Sequence, residues 1–351
     1  MAFHNFNSFY LIVMSLQSLG KFGTLFQVIG ILFVARKIIK GLLGLYRAFL
    51  RKRKDLIKRY GKNTWALVTG ASDGIGQEFC RQLAKMGFNI VLVARTEKKL
   101  RDTEKELNTL NPKISTRVVV ADLSKASEEG FVENIYEQVK DLDISMLVNN
   151  AGIDVFDHYD KIDPKYLKNM ININCTAIYL LNRQFVKQLN SRSTKSAIIN
   201  VSSGVVKIPL AFYSSYNGTK TLVDSFTLSI ADEYKNIDFM SMQPYDVSTN
   251  MINNRETDIM TISRTECVKG FLDCLGYEVQ SVGHWKHRIQ DYVYSLIPRR
   301  LANIIYFKFL IKDFFAERKA LIPSYRGLPA DTKIEFGPDE GHFNQDSKKM
   351  N

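Results

Sequence analysis

The sequence predicts an α/β fold in which a doubly wound parallel sheet carries helices on both faces. Apolar runs of strand length alternate with segments of helical periodicity between about residues 63 and 250, which is typical of consecutive βαβ units. A glycine-rich turn joins the first strand to the first helix, and polar side chains follow the ends of later strands. Ligands of such sheets bind at the carboxyl ends of the strands, so we expect the functional site there.

The first βαβ unit is the most informative segment. The unit begins with an apolar run over Thr64–Val68, which leads into the turn TGASDGIG at 69–76. A helical pattern follows and ends at Gly87, and a second apolar run covers Asn89–Ala94. Glycines in such a turn permit tight reversal, close approach of a pyrophosphate and close helix packing, while the helix N-terminus attracts phosphate. The unit predicts a Rossmann-type dinucleotide site. Its predicted cofactor-binding residues are Gly70, Ser72, Asp73, Gly74, Ile75 and Gly76.

The residue after the second strand distinguishes the two nicotinamide dinucleotides. An acidic residue there would bind the ribose 2′-hydroxyl of NAD. This sequence has Arg95 instead, and either Lys98 or Lys99 could support it. A guanidinium would pair with a 2′-phosphate, which favours NADP(H). The alternative is that Arg95 is a solvated loop residue.

Later strands bring further residues to the same edge of the sheet. Strands are predicted over Ser115–Ala121, Ile144–Val148, Ala197–Val201 and Ile237–Met242, with helices over Ala126–Leu142 and Pro164–Leu189. Asp122 ends one of these strands and is placed to hydrogen-bond an adenine edge. The next strand runs into three further predicted cofactor-binding residues, Asn150, Ala151 and Gly152.

Five motifs resemble the short-chain dehydrogenase/reductase family, in the family's order and at its spacings. They are TGASDGIG at 69–76, NNAG at 149–152, Asn174, the pair Ser202-Ser203 and YNGTK at 216–220. The resemblance covers about residues 63–250. It implies hydride transfer between NADP(H) and a carbonyl, with Tyr216 and Lys220 also contacting the cofactor.

The loop after Ile237–Met242 departs from the family. The family usually has Pro-Gly there, whereas this sequence has Pro244-Tyr245. The resemblance still implies that the Val247 backbone holds the nicotinamide amide and that Thr249 meets the phosphates. The path of the loop is left open by the tyrosine.

The residue types of the candidate catalytic group explain the chemistry. Hydride transfer to a ketone produces an alkoxide that needs a proton, and Tyr216 can supply one, although a tyrosine pKa is ordinarily about 10. Lys220 stands one helical turn further on the same face, and its ammonium would lower that pKa. Ser203 ends a strand and can polarise the carbonyl. The resemblance alone implies that Asn174 holds the lysine through water in a proton relay.

Two neighbouring residues compete for these roles. Ser202 could replace Ser203, although the family's spacing of thirteen residues before the tyrosine favours Ser203. Tyr213 lies close to Tyr216, but the residue four positions after it is Asn217 rather than lysine. Tyr213 is therefore not predicted to be the acid.

Composition and charge exclude several other classes of protein. The chain has 351 residues, 45% of them hydrophobic and 24% charged, which is typical of a globular protein. Four cysteines are too few for a disulfide scaffold and lack metal-ligand spacing. Residues 36–62 hold eleven basic residues against one acid, a net +10 of the +12 of the whole chain. The remainder is nearly neutral, so we expect no nucleic-acid partner.

An apolar segment precedes this basic run. Phe9–Ala35 holds 27 residues with one charge, Lys21. Because Arg36-Lys37 follow it and no basic region precedes it, a retained membrane segment, spanning or re-entrant, is favoured over a cleaved signal peptide. Flanking basic residues stay on the cytoplasmic side, so the catalytic domain should face the cytosol. Residues 40–60 are interpreted as a basic helix, either solvated or lying on anionic lipid.

Within the family, the chain resembles the membrane-bound branch that contains the very-long-chain 3-oxoacyl-CoA reductases and 17β-hydroxysteroid dehydrogenases. WALVTGASDGIG at 65–76, MININ at 170–174, NVSSG at 200–204 and QPYDVSTNM at 243–251 carry this resemblance. It implies NADPH-dependent reduction of 3-oxoacyl-CoA in fatty-acid elongation. The alternatives are a keto-steroid or another lipid carbonyl as substrate, or an idle scaffold of an elongation complex. The implied partners are membrane lipids, other elongation enzymes and a second copy in a homodimer.

Four segments are predicted. Residues 1–62 form the membrane segment and basic helix, 63–285 the reductase domain, 286–328 a helical flap that faces lipid or packs on the core, and 329–351 a mobile tail. Lys348-Lys349 near the C-terminus resemble a dilysine retrieval signal, so the predicted location is the endoplasmic-reticulum membrane. His284 and His287 form an HxxH pair without a third ligand and are predicted to be solvated; no metal is expected.

Overall fold

The computed structural model describes residues 3–252, 254–298 and 301. Within these ranges the chain divides into two compact units, and the boundary along the sequence lies between Lys52 and Arg53. The first unit consists of helix α1, Phe3–Leu45, and a π-helical turn, Tyr46–Leu50. Most of the predicted flap over 286–328, and the whole predicted tail over 329–351, lie outside the described residues.

The membrane-spanning segment predicted over Phe9–Ala35 is not supported. No helix in the part of the chain that the structure describes is both long and apolar enough to cross a membrane. The physical reason lies in the charges of α1. Only 14 residues separate Lys21 from Arg36, which at about 1.5 Å per residue is about 21 Å, less than the roughly 30 Å hydrocarbon core.

The basic segment is also divided differently from the prediction. A single helix over 40–60 was expected, but α1 ends at Leu45 and the next α-helix, α2, covers Leu56–Tyr60. Two of the basic residues are bonded within the second unit. Lys54 Nζ donates to Gly276 O at 2.5 Å, and Arg59 forms a two-point ion pair with Asp238.

The second unit contains a seven-stranded parallel sheet, which confirms the predicted α/β fold. Its strands are β1 Trp65–Thr69, β2 Asn89–Ala94, β3 Thr116–Val120, β4 Ile144–Asn149, β5 Ser196–Val201, β6 Ile237–Met242 and β7 Gln280–Ser281. Their order across the sheet is β3-β2-β1-β4-β5-β6-β7. The order reverses between β1 and β4, and that reversal opens the crevice in which such sheets bind nucleotides.

Helices cover both faces of this sheet. The described residues of the second unit form the α-helices α2 and α3 Gly74–Met86, α4 Glu97–Leu110, α5 Phe131–Glu137, α6 Pro164–Ile171, α7 Ala177–Asn190, α8 Ser214–Ala231, α9 Arg264–Leu272 and α10 Trp285–Tyr294. One buried cluster joins the sheet to Phe79 of α3 and Phe271 of α9, and the other joins it to Leu181 and Phe185 of α7. Apolar packing on both faces therefore holds the sheet in place, and with it the edge at which the strands end.

Helix α5 is shorter than predicted. A helix was expected over Ala126–Leu142, but only Phe131–Glu137 is α-helical. Gly130 precedes it with a left-handed φ of 74°, which glycine adopts readily and which interrupts helical continuity. The periodicity of the sequence did not show this break.

Candidate active site

A cavity of about 640 Å³ lies at the carboxyl ends of the central strands. Most of the predicted site residues line it: Gly70, Ser72, Asp73, Gly74, Ile75, Arg95, Asp122, Asn150, Ala151, Gly152, Ser203, Tyr216, Lys220, Val247 and Thr249. Two predicted residues, Gly76 and Asn174, stand outside this lining. The structure thus brings together residues from seven separate stretches of sequence.

The glycine turn leaves no room for side chains at two positions. Gly70 has a φ of 67°, and a Cβ atom there would stand 2.8 Å from Asn150 Nδ2. At Gly76 a Cβ atom would lie 2.2 Å from the Gly70 carbonyl oxygen. Asn150 braces the turn, since its Nδ2 donates to Thr69 O at 3.0 Å and its backbone N–H donates to Thr69 Oγ1 at 2.9 Å. The result is an open backbone cradle that a pyrophosphate can approach.

Acidic side chains cap α3 and the 3₁₀-helical turn Leu123–Lys125, both of which begin beside this cradle. Asp73 Oδ1 accepts from the Gly74 N–H at 2.6 Å, at the start of α3. Asp122 Oδ1 accepts from the Ser124 N–H at 3.0 Å. Both carboxylates therefore stabilise backbone turns as well as lining the cavity.

Arg95 lies on the cavity wall with an exposed side chain. Lys99 lines the same wall, whereas the neighbouring Lys98 does not. A cationic pair at this end of the crevice is suited to a phosphate on the adenosine ribose. The structure thus favours Lys99 over Lys98 as the residue that could support Arg95.

Helix α8 carries Tyr216 and Lys220 on one face. The Lys220 ammonium is buried, donates to Val201 O at 2.9 Å and lies 5.6 Å from the centroid of the Tyr216 ring. Burial lowers the pKa of Lys220 from 10.5 to about 8, and the neighbouring Cys175 and Asp154 partly oppose that change. Near neutral pH the lysine is thus a cation held next to the tyrosine.

The two serines after β5 form different hydrogen bonds. Ser202 is buried, and its Oγ donates to Lys220 O at 2.8 Å. Ser203 Oγ accepts from the Val205 N–H at 3.4 Å, so this contact does not use its hydroxyl proton. Ser202 anchors helix α8, and Ser203 is the serine that can donate toward the cavity.

Asn174 lies in a π-helical turn, Asn172–Thr176, which joins α6 to α7. The predicted helix over Pro164–Leu189 thus forms with one irregular turn, a feature common at functional sites. Asn174 is fully buried; its Nδ2 donates to Ile153 O at 2.9 Å and its Oδ1 accepts from the Ile153 N–H at 2.9 Å. A Cβ atom on Gly152 would lie 3.3 Å from Lys220 Nζ and 3.4 Å from Asn174 Oδ1. Asn174 is therefore a neighbour of the lysine across Gly152.

Sequence reasoning missed or misjudged three residues around this cavity. Tyr213 packs edge-on against Tyr216, and its Oη donates to Asp154 Oδ2 at 3.3 Å; Asp154 was not predicted. Tyr245 forms part of the wall. His287 was predicted to be solvated, but it is completely buried under the loop after β6. Its spacing from Gln290 and Tyr294 on α10 is the helical periodicity that could have indicated an inward face.

The fold and this constellation define a dinucleotide-dependent oxidoreductase. The family described as short chain dehydrogenase matches residues 64–259, and the chain belongs to that family. It is 32% identical over 249 residues to human 17-beta-hydroxysteroid dehydrogenase type 3, covering 70% of this chain and 78% of that protein. It is 30% identical over 285 residues to the very-long-chain 3-oxoacyl-CoA reductase-B of Danio rerio, covering 78% and 88%.

A further relative agrees with this assignment, and a solved structure shares the fold. The very-long-chain 3-oxoacyl-CoA reductase let-767 of Caenorhabditis briggsae is 32% identical over 267 residues, covering 74% of this chain and 83% of that protein. A structure from a study of 7beta-hydroxysteroid dehydrogenase stereoselectivity superposes with a TM-score of 0.62 at 23% identity, covering 69% of this chain and 95% of that one. At that identity the superposition shows the fold alone.

Proposed function

We propose that the protein reduces the 3-keto group of a long-chain 3-oxoacyl-CoA to a hydroxyl, with NADPH as reductant. The observation that carries this proposal is the meeting of Ser203, Tyr216 and the buried Lys220 at the wall of a cavity that also contains the glycine turn. Relatives that are very-long-chain 3-oxoacyl-CoA reductases support the substrate class. A keto-steroid is the second candidate, since the human steroid dehydrogenase is equally similar.

The lining of the cavity fits a nicotinamide dinucleotide phosphate. The cradle at Gly70–Gly76 and the N-terminus of α3 would hold the pyrophosphate, Arg95 the 2′-phosphate and Asp122 the adenine. Asn150–Gly152, Val247 and Thr249 line the remaining length. When bound, the dinucleotide supplies the hydride.

The side chains of this chain would then handle the proton and the carbonyl. Ser203 donates a hydrogen bond to the substrate oxygen and polarises it. Tyr216 gives its proton to that oxygen as negative charge develops. The Lys220 ammonium favours the tyrosinate that remains. Asn174, fixed on both sides by Ile153, is proposed to order the path along which Lys220 is reprotonated.

The apolar part of the cavity lining suits an apolar substrate tail. Its aliphatic and sulfur side chains are Ile153, Val205, Ile208, Leu210, Met251, Ile252 and Met260. Burial of methylene groups against such a wall is favourable by about 0.8 kcal/mol each. A long acyl chain or a steroid ring system would both gain from it, which is why the substrate must be decided by assay.

The experiment measures NADPH consumption by the full chain in detergent or on vesicles, with two substrates in parallel. A long-chain 3-oxoacyl-CoA is expected to be turned over, and Tyr216→Phe serves as the inactive control. Turnover of an oestrone-like ketone alone would establish the second candidate. If neither substrate is consumed and Tyr216→Phe equals the wild type, an idle scaffold is the better explanation.

Arg95→Asp is expected to reverse the dinucleotide preference. Loss of a charge-assisted pair with the 2′-phosphate, and its replacement by repulsion, should raise the NADPH Kd by about 10- to 100-fold while leaving the NADH Kd nearly unchanged. Titration with both dinucleotides measures the ratio. Lys98→Asp is the matched control, because Lys98 stands outside the cavity lining. Equal losses in the two variants would show that Arg95 acts only through general charge.

The first unit is proposed to associate with a membrane surface and so to place the catalytic unit at the endoplasmic reticulum, facing the cytosol. Many large apolar side chains of α1 and the turn after it are exposed, among them Phe26, Ile31, Leu32, Phe33 and Leu50. The basic residues of 36–62 support an association with anionic lipid. Association with other elongation enzymes, or as a homodimer, stays a prediction.

Vesicle flotation tests the membrane proposal. The full chain is expected to float with vesicles that contain anionic lipid, and less so with neutral vesicles or at high salt. Leu32→Glu combined with Phe33→Glu should reduce the floating fraction strongly while NADPH binding is retained. Recovery of the wild type in the unbound fraction with every lipid would contradict the proposal.

A further inference from the structure

The loop after β6 is pressed against the catalytic serine's own loop. The ring of Tyr245 lies against Gly204, so closely that a Cβ atom on that glycine would stand 2.6 Å from the ring atoms Cδ1 and Cε1. The Gly204 N–H also donates to Pro244 O at 2.8 Å. The position of Ser203 is therefore tied to the position of Pro244-Tyr245.

Helix α10 supports this loop from behind through a buried histidine. The Tyr245 N–H lies 3.4 Å from His287 Nδ1, and His287 Nε2 lies 3.3 Å from Asp246 O. A backbone N–H can only donate, so Nδ1 must be the acceptor and Nε2 must carry the proton. One neutral imidazole thus bonds to an N–H and a carbonyl of consecutive loop residues, immediately before Val247.

The surroundings of His287 keep it in this neutral form. Burial lowers its pKa to about 4, the hydrogen bond to the Asp246 backbone partly opposes this, and His284 and Lys286 lower the pKa further. The side chain has no exposed surface. Its two hydrogen bonds therefore persist throughout the working pH range.

A second link joins the same helix to the serine loop. Asp291 of α10 pairs with Lys207 at 2.7 Å, and Tyr245 Oη lies 3.4 Å from its carboxylate. Tyr294 packs against the Tyr245 ring with a centroid distance of 5.6 Å. Helix α10 thus contacts both loops that border the reacting end of the cavity.

We propose that His287 is a positioning residue that sets the path of the 244–247 loop and hence the position of the nicotinamide half of the dinucleotide relative to Ser203 and Tyr216. The inference rests on the proposed use of NADPH and extends it, because it assigns to α10 a role in aligning the cofactor. Tyr245, which replaces the flexible glycine of the family pattern, is the side chain through which the alignment reaches Gly204.

The test compares two ligands in one set of variants. NADPH bound as proposed would extend to the 244–247 loop, whereas adenosine 2′,5′-bisphosphate lacks the nicotinamide half and would report only on the Arg95 end. His287→Leu removes the acceptor of the Tyr245 N–H and one of the donors to Asp246 O, which keeps its bond from the Ile262 N–H at 3.1 Å. We expect its NADPH Kd to rise about tenfold while the bisphosphate Kd changes less than about twofold. The rate of hydride transfer in a single turnover should fall with it.

Two amide variants separate positioning from simple loss of structure. His287→Gln offers an acceptor and a donor on a long side chain and should restore most of the NADPH affinity. His287→Asn is shorter, reaches one backbone group at most and should not. If His287→Leu fails to fold, this pair alone decides the matter, since equal affinities in the two would overturn the inference.

His284→Leu is the matched control for the stability of α10. His284 caps the helix by accepting from the Lys286 N–H at 3.4 Å, a contact that does not involve the 244–247 loop. The melting temperature of this variant should fall without any change in the ratio of the two ligand affinities. A parallel loss of both ligands in His287→Leu would make His287 merely structural. Failure of the wild type to bind NADPH would refute the proposed function instead.

Discussion

Tyr216→Phe is expected to lower kcat by about 10²- to 10⁴-fold, the contribution typical of a positioned general acid. The variant removes one hydroxyl from a ring that packs against Tyr213, so the cavity should keep its shape. The NADPH Kd and the melting temperature should therefore stay close to those of the wild type. Steady-state kinetics at saturating NADPH measure the loss in kcat.

Tyr213→Phe is the control for this substitution. Tyr213 also lines the cavity, but its hydroxyl bonds to Asp154 at 3.3 Å and no lysine follows it by one turn. Its removal should change kcat by less than about tenfold, since the bond to the Asp154 carboxylate at the wall is lost while the proposed proton donor, Tyr216, is kept. If the two phenylalanine variants were equally impaired, the assignment of the acid to Tyr216 would have to be abandoned.

Lys220→Met is expected to be almost inactive and yet more stable than the wild type near neutral pH. The lysine pKa of about 8, against 10.5 for a solvated lysine, corresponds to a cost of about 3 kcal/mol for keeping the ammonium buried. The variant avoids this cost, but it also loses the hydrogen bond to Val201 O, which destabilises it by about 1 kcal/mol. The free energy of unfolding should therefore rise by about 2 kcal/mol, while kcat falls by about 10²-fold or more.

The difference in stability between Lys220→Met and the wild type should shrink as the pH rises. Below about pH 8 the lysine is charged in both the folded and the unfolded chain, and the wild type bears the full cost. Between about 8 and 10.5 the unfolded chain binds the extra proton, so wild-type stability rises with pH and approaches that of the variant. Denaturant unfolding near pH 7 and near pH 10 measures the gap. A gap that widens with pH, or a variant less stable at pH 7, would contradict the account.

Local signals made the grouping of the candidate catalytic residues predictable. The turn at 69–76, the two residues Tyr216 and Lys220 one helical turn apart, and polar residues at strand ends each depend on short-range geometry, and the structure brings them to one cavity. The parallel sheet followed from alternating apolar runs in the same way. These patterns are visible because backbone conformation and side-chain periodicity are determined within a few residues.

Long-range packing could not be predicted in the same way. Whether His287 faces water or the loop at 245–246 depends on where α10 docks, some forty residues further along the chain. The apolar run at Phe9–Ala35 was overrated because Lys21 divides it, and the position of a charge decides the usable apolar length. The start of the helix over Ala126–Leu142 was placed too early because the left-handed Gly130 delays the helix to Phe131.

The π-helical turn at Asn172–Thr176 makes the site depend on the number of residues between α6 and α7. A π-turn holds one residue more than an α-turn, so loss of a single residue there would convert it to α-helix and rotate α6 relative to α7 by about 100°. Met170, now fully buried, would leave the core, and Asn174 would no longer face Ile153. Insertions and deletions should therefore accumulate in the loops of related chains and be absent between Asp163 and Asn190.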